Sequence, residues 1–307
     1  MQRHDHLDTR AIAVVVLLCA LWGVQQVTVK VALHDGFPPL LQAAVRSAGA
    51  AILCAAWIGG REGANGLRAS LGGLAAARVG LATAALFGAE FTAIYLGLRL
   101  TSASRAVLFL YTSPFFTALG AHLLLPRERL RAAQVAGLAV AFAGLLVAFS
   151  EGLRHGQGSI AGDALCTLGG ALWAMLTLTM KASPSLRRAR ASGMLLYQLA
   201  GSAPLLLGGA AALGELAHPL HADALAWACV LYQTVIVAFA SYLAWFWLVV
   251  RYPVGKLSGF TFLTPLFGIL AGGLLLGETL SVGLFVGVAA ICTGLQLLNR
   301  RVPALAL

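Results

Sequence analysis

Between residues 11 and 298 the chain runs through ten apolar stretches, 11–33, 38–58, 73–98, 104–125, 131–150, 160–181, 191–213, 222–250, 254–276 and 280–298, joined by short linkers. A helix rises about 1.5 Å per residue, so roughly 20 apolar residues cross the ~30 Å hydrocarbon core of a bilayer. In that solvent each backbone N–H and C=O must be bonded internally, and runs of this length read as spanning helices. No linker has room for a water-soluble domain. Composition agrees: 60% of the 307 residues are hydrophobic and 10% are charged, with a mean hydropathy of +0.86. A soluble domain carries about 25% charged residues.

The net charge of +10 does not mark a nucleic-acid surface, because the basic residues form no stripe and do not interleave with aromatics on a polar face. They sit between the apolar runs, as topology signals do. With the N-terminus in the cytoplasm, sixteen Lys and Arg fall on that side, four (Lys30, Arg99, Arg105, Arg154) on the other, and Arg46 on neither. An even number of spans returns the C-terminus to the cytoplasm. Arginine makes up eighteen of the 21 basic residues, a bias associated with bacteria of high-GC genome, so the expected location is a bacterial inner membrane. The first run contains Trp22, Gln25 and Gln26 and lacks a clear cleavage site, so it is expected to stay as a helix. Five isolated cysteines have no metal or CxxC spacing and read as small packing residues.

The chain is an internal duplication. Pro114 and Pro265 lie 151 residues apart, each after a hydroxyl residue, Ser113 and Thr264; the same offset pairs ALW at 20–22 with ALW at 171–173 and Lys30 with Lys181. After a one-residue deletion the offset becomes 150, matching Glu128 with Glu278, Gly137 with Gly287 and Gly144 with Gly294. The division falls into residues 1–150 and 151–307, five spans each. An odd number of spans puts the second half into the membrane from the opposite side, an arrangement used by secondary transporters.

The stretch GLRLTSASRAVLFLYTSPFFTALGAHLLLPRERLRAAQVAGLAVAFAGLLVAF resembles the EamA module of the drug/metabolite transporter superfamily, and RYPVGKLSGFTFLTPLFGILAGGLLLGETLSVGLFVGVAAICTGLQLL resembles it again. Within the superfamily the chain is most similar to amino-acid and metabolite exporters, the YddG-type exporters of aromatic and other neutral amino acids among them. The resemblance implies an all-α basket of ten helices in two inverted repeats, a central cavity, and export by alternating access.

Candidate site residues follow from charge, polarity and aromaticity inside the spans. Arg46 and Glu90 each lie eight residues from the outer end of their runs, about 12 Å deep, and an ion pair between them is expected, as a structural clamp or as part of a substrate or proton path. Trp22, Gln25, Gln26, Glu90, Tyr95, Tyr111, Trp173, Thr177, Ser241, Tyr242, Trp245 and Phe260 are expected to line the cavity, with Trp247 and Thr261 further candidates. Trp22 and Trp173 are matched by the repeat and lie too deep for an interfacial belt. Pro114 and Pro265 withdraw backbone bonds from the carbonyls of Leu110 and Thr261, and read either as hinges or as static kinks. Asp163 is expected to cap its helix, and Glu128 and Glu278 to close theirs.

An aromatic cavity with a few amides and hydroxyls suits a small amphipathic solute such as a neutral amino acid, whereas one buried arginine does not suit a polyphosphate. A membrane enzyme acting on lipids would need an HExxH, an Asp-rich cluster or a Ser/His/Asp set, and a channel would need a charged or carbonyl ring. Neither pattern is present in the sequence, and no cofactor, metal or nucleic-acid partner is expected. Within carriers, drug or other metabolite export with proton coupling stays open beside amino-acid export. A monomer is the default, since small-residue helices pack within one chain or between two.

Overall fold

The structure is a computed structural model and describes residues 6–101, 103–125, 128–150, 153, 158–185, 190–217, 220–276 and 282–299. Thirteen α-helices and one π-helical segment make up its named elements: α1 (Thr9–His34), α2 (Pro39–Leu71), α3 (Leu74–Leu98), α4 (Ala103–Leu110), α5 (Ser113–Leu124), α6 (Ala132–Ala148), α7 (Ile160–Ala182), α8 (Ala191–Ala212), α9 (Ala224–Tyr232), π1 (Gln233–Ser241), α10 (Tyr242–Arg251), α11 (Val254–Phe260), α12 (Leu263–Leu276) and α13 (Val282–Asn299). Among the described residues nine continuous helical spans are long and apolar enough to cross a bilayer. The expected fifth span is α6, apolar and 17 residues long. The protein is therefore an all-α integral membrane protein. Helix α2 runs beyond the expected end at 58 and continues to Leu71 across a break at Gly63, whose φ of 67° suits only glycine. Glu278 and the GETL motif, like Arg3, Arg127, Arg154, Arg187, Arg188, Arg300 and Arg301, lie outside the described residues.

The prolines sit differently from the expected mid-helix kinks. Each span is interrupted by a two-residue turn ahead of its proline, Tyr111–Thr112 between α4 and α5 and Thr261–Phe262 between α11 and α12. Pro114 is the second residue of α5 and Pro265 the third of α12, positions where a missing N–H costs no intrahelical bond. Threonine hydroxyls supply local bonds at the breaks: Thr112 Oγ1 donates to Phe109 O at 2.6 Å, and Thr261 Oγ1 to Ser258 O at 2.6 Å. Each break is covered by the other half. Cys19 Sγ on α1 lies 3.3 Å from Phe260 O, and its counterpart 151 residues on, Gly170 of α7, approaches Leu110 O so closely that a Cβ there would lie 2.5 Å away.

Packing is reciprocal between the halves. Helix α1 lies along α12, while α7 lies along α4 and α5; α2 packs on α8, and α6 on α13. The last pair crosses on four glycines. A Cβ on Gly137 would lie 2.7 Å from Gly294 O, and one on Gly144 2.7 Å from Gly287 O, with 2.5 and 2.6 Å in the converse sense. Position 137 meets 294 and position 144 meets 287, so the two helices run antiparallel. The glycines that could have served either internal or intermolecular packing are used within the chain.

A polar clasp joins neighbouring elements near each end of the bundle. At the N-terminal end, Lys181 is buried and donates to the carbonyls of Val249 (2.7 Å) and Tyr252 (2.6 Å). Glu128 lies 3.4 Å from that ammonium and accepts the N–H of Val254 at 2.7 Å, where α11 begins. Tyr252 Oη donates to Asp8, the N-cap of α1, at 3.0 Å, and Lys256 meets His6 at 2.9 Å. At the other end Thr101 donates to Asp163 at 2.9 Å and Arg105 binds Asp163 through Nε and Nη2. Asp163 was expected as a helix cap, but Ser159 takes that role by accepting Gly162 N, which leaves the carboxylate for Arg105. Thr101 and Tyr252, and likewise Arg105 and Lys256, are 151 residues apart, so each clasp uses the linker that precedes a broken span.

Candidate functional site

Three tryptophans from different spans form the centre of the interior. Trp22 of α1 lies 6.1 Å from Trp173 of α7 and 5.4 Å from Trp245 of α10, and Trp173 stacks on Trp245 at 6.1 Å. Trp22 also meets Tyr242 at 6.3 Å and donates its indole N–H to Ser241 Oγ at 2.8 Å. The aromatic row continues through Phe87 to Phe91 and Tyr95, residues four apart on one face of α3.

The π segment explains how the eighth span presents this surface. Thr234 and Ser241 hydroxyls donate back to Val230 O (2.7 Å) and Val237 O (2.6 Å), competing with the backbone ladder. The wider turn lets Gln233 face Gln42 of α2, at 3.1 Å, while Ser241, Tyr242 and Trp245 face Trp22. Thr234 fits against Gly49, where a Cβ would lie 2.8 Å from its methyl. π-helical turns are frequent at functional sites.

Arg46 and Glu90 are both buried, at 1% and 4% exposure, and lie within electrostatic reach of each other and of Tyr242. The expected direct ion pair is not made among the described residues: no nitrogen–oxygen approach within 4.0 Å joins them. The Arg46 guanidinium rests instead on the Phe91 ring, 4.4 Å from its centroid, an aromatic contact that holds a cation without neutralising it. Arg46 Nε and Nη2 and Glu90 Oε2 have no hydrogen-bond partner. The same holds for Ser47 Oγ, Thr177 Oγ1, Gln198 Oε1, Gln233 Oε1, Trp245 Nε1 and Thr264 Oγ1. Buried polar atoms are nearly always bonded, and these exceptions, with Asn299 Oδ1 at the end of α13, are spread over seven spans.

The other expected residues divide. Tyr111 stands at the first break beside Thr264 and Gln26. Gln26 Oε1 lies 2.9 Å from the position a Cβ on Gly268 would take, which places it between α1 and α12. Phe260 ends α11 and gives its carbonyl to Cys19. Gln25 contributes its backbone carbonyl to Thr28, and the Thr261 hydroxyl donates to Ser258 O within its own turn. Trp247 belongs to the N-terminal end, between Arg10 and Arg251, which stand 5.9 and 4.6 Å from its ring. Sequence reasoning missed Phe87, Phe91, Gln42 and Gln233. The first two are spaced i, i+4 with Tyr95, and Gln42 stands one turn before Arg46 on the same face, so both signals were present.

A bundle of apolar spans around an aromatic interior with unsatisfied charged groups defines a membrane carrier of small molecules. The sequence model of the EamA-like transporter family matches residues 9–150 and again 160–300, and the chain belongs to that family. It is 30% identical over 291 residues to a protein of Escherichia coli (strain K12) named "Probable amino-acid metabolite efflux pump", with 92% of each chain covered. A Salmonella typhimurium protein of the same name is 29% identical over 297 residues, again with 92% of each covered. An "Uncharacterized transporter YvbV" of Bacillus subtilis (strain 168) is 32% identical over 178 residues, covering 56% of this chain and 55% of that one. A crystal structure of a protein at 20% identity superposes with a TM-score of 0.75 over 94% of this chain and 98% of that one, which shows a shared fold.

Proposed function

We propose that the protein exports neutral amino acids, aromatic ones included, from the cytoplasm by alternating access of two inverted halves, residues 1–150 and 151–307. The observation that carries this reading is the interior of Trp22, Trp173, Trp245, Tyr242 and Phe91 around the unbonded polar atoms of Arg46 and Glu90. Aromatic walls take an apolar side chain, and a guanidinium beside a carboxyl group takes a polar head. The efflux-pump names of two relatives point the same way. In this reading the chain is a monomer of the bacterial inner membrane, and the basic-residue asymmetry supports both termini in the cytoplasm. The two clasps open in turn, and the breaks ahead of Pro114 and Pro265 flex as each does so.

The test is transport in proteoliposomes with a panel of labelled neutral amino acids and cationic dyes, with and without a pH gradient. Saturable amino-acid flux supports the reading; dye flux without amino-acid flux sinks it. A cationic drug is the second reading, favoured by the unbonded Glu90 Oε2, and a flux driven by the pH gradient would attach proton coupling to either.

A further inference from the structure

We infer that Arg46 and Glu90 are the two jaws of a zwitterion clamp, the Nε–Nη2 edge of Arg46 receiving the substrate carboxylate and Glu90 Oε2 its ammonium. This rests on the amino-acid reading above and deepens it from a substrate class to a recognition geometry.

The argument starts from which atoms are unbonded. On a guanidinium, Nε–H and one N–H of Nη2 point the same way and form a planar fork that matches the two oxygens of a carboxylate. Those two nitrogens of Arg46 make no hydrogen bond, while Tyr242 stands within side-chain bonding reach of the same guanidinium. The chain shows elsewhere what that edge does: Arg105 uses the same two nitrogens to hold the two carboxylate oxygens of Asp163. Arg46 has its cation on the Phe91 ring and its fork unfilled, and Glu90, in the preceding position on α3, keeps an unbonded oxygen nearby.

Charge decides the ligand. A side chain ionised inside a membrane costs several kcal/mol unless it is paired, and these two do not close on each other. A monoanion would serve Arg46 and be repelled by Glu90; a monocation would do the reverse. A molecule carrying both charges a few ångströms apart serves both and adds no net charge to the interior. Phe91 borders the clamp, and Tyr242 leads from it to the tryptophans, which accept the apolar remainder of the molecule.

The experiment is counterflow in proteoliposomes of the full chain, using whichever labelled amino acid among leucine, phenylalanine and tryptophan gives the highest flux. Its decarboxylated amine, its deaminated acid and the unlabelled amino acid serve as competitors. Each truncated analogue lacks one charge-assisted contact and is expected to compete about tenfold or more weakly than the amino acid. Arg46→Lys keeps the charge and removes the fork. It should weaken amino-acid competition about tenfold while leaving the amine unchanged, and Glu90→Gln should do the same with the acid unchanged. Amine or acid competing as well as the amino acid in the unaltered protein overturns the clamp alone, as does Arg46→Lys with unaltered preference. Absence of flux for all three amino acids overturns the transport reading and the clamp together. If the variants fail to fold, the analogue competition on the unaltered protein decides by itself.

Discussion

Lys181 of α7 and Glu128 of the linker between α5 and α6 meet at 3.4 Å at the N-terminal end of the bundle. Lys181 is 3% exposed and also donates to two carbonyls at the end of the eighth span, so its charge is held inside protein rather than at a membrane surface. Removing one member of a buried pair leaves the other uncompensated, which costs about 3–5 kcal/mol, whereas replacing both is far milder. Lys181→Met is therefore expected to lower thermal stability in detergent strongly, and Lys181→Met with Glu128→Gln to recover part of the loss. A double-mutant cycle measures this, and additive effects would rule out the coupling.

Ser241 accepts the indole N–H of Trp22 and donates to Val237 O, so one hydroxyl ties the aromatic centre to the π segment. Ser241→Ala leaves a buried N–H without its acceptor at a cost of about 1–3 kcal/mol. Ser241→Thr keeps the oxygen and is expected to stay close to the unaltered protein. Tryptophan emission together with thermal unfolding reads both, and an Ala variant indistinguishable from the Thr variant would contradict the role given to this bond.

The crossing of α6 and α13 gives a contrast among glycines. At Gly137 and Gly144 the nearest obstacle to a Cβ is a backbone carbonyl oxygen of the facing helix, which has no rotamer by which to retreat. Gly144→Ala is expected to destabilise by about 1–3 kcal/mol through overpacking. Gly208 lies in α8 with nothing within 4 Å of its Cβ position, so Gly208→Ala should be neutral or stabilising by up to about 1 kcal/mol. Equal melting temperatures for the two variants would refute the close crossing.

Much of this was open to inspection in the sequence because the solvent is lipid. Apolar runs of fixed length mark the spans, and a repeated proline, ALW and glycine spacing read as two copies. Trp22 and Trp173 were legible as interior residues since both lie deep and at matched positions, and they meet at 6.1 Å. What escaped was set by tertiary contact. A π segment and an α-helix look alike in an unbroken apolar run, so the facing of Gln233 was hidden. Arg46 was read as the partner of Glu90 on depth alone, whereas the ring of Phe91, next in sequence to Glu90, takes the guanidinium. Asp163 was read from its helix start, while its partner Arg105 lies 58 residues away.

The breaks at 111–112 and 261–262 make a last distinction, between a proline that shapes a helix and one that lets it move. Pro114 stands in the first turn of α5, where an alanine would gain an N–H with no intrahelical acceptor and lose none. Pro114→Ala is thus expected to leave folding stability within about 1 kcal/mol of the unaltered protein, far from the ~3 kcal/mol of an interior proline. Removing the ring does lift the restriction on Ser113 and allows α4 to run into α5. If the break is a hinge, Pro114→Ala should slow counterflow several-fold at unchanged substrate affinity, and the double variant with Pro265→Ala should slow it further. The rate of exchange at saturating substrate is the measurement. An unchanged rate in the double variant would assign both prolines to shaping the interior alone.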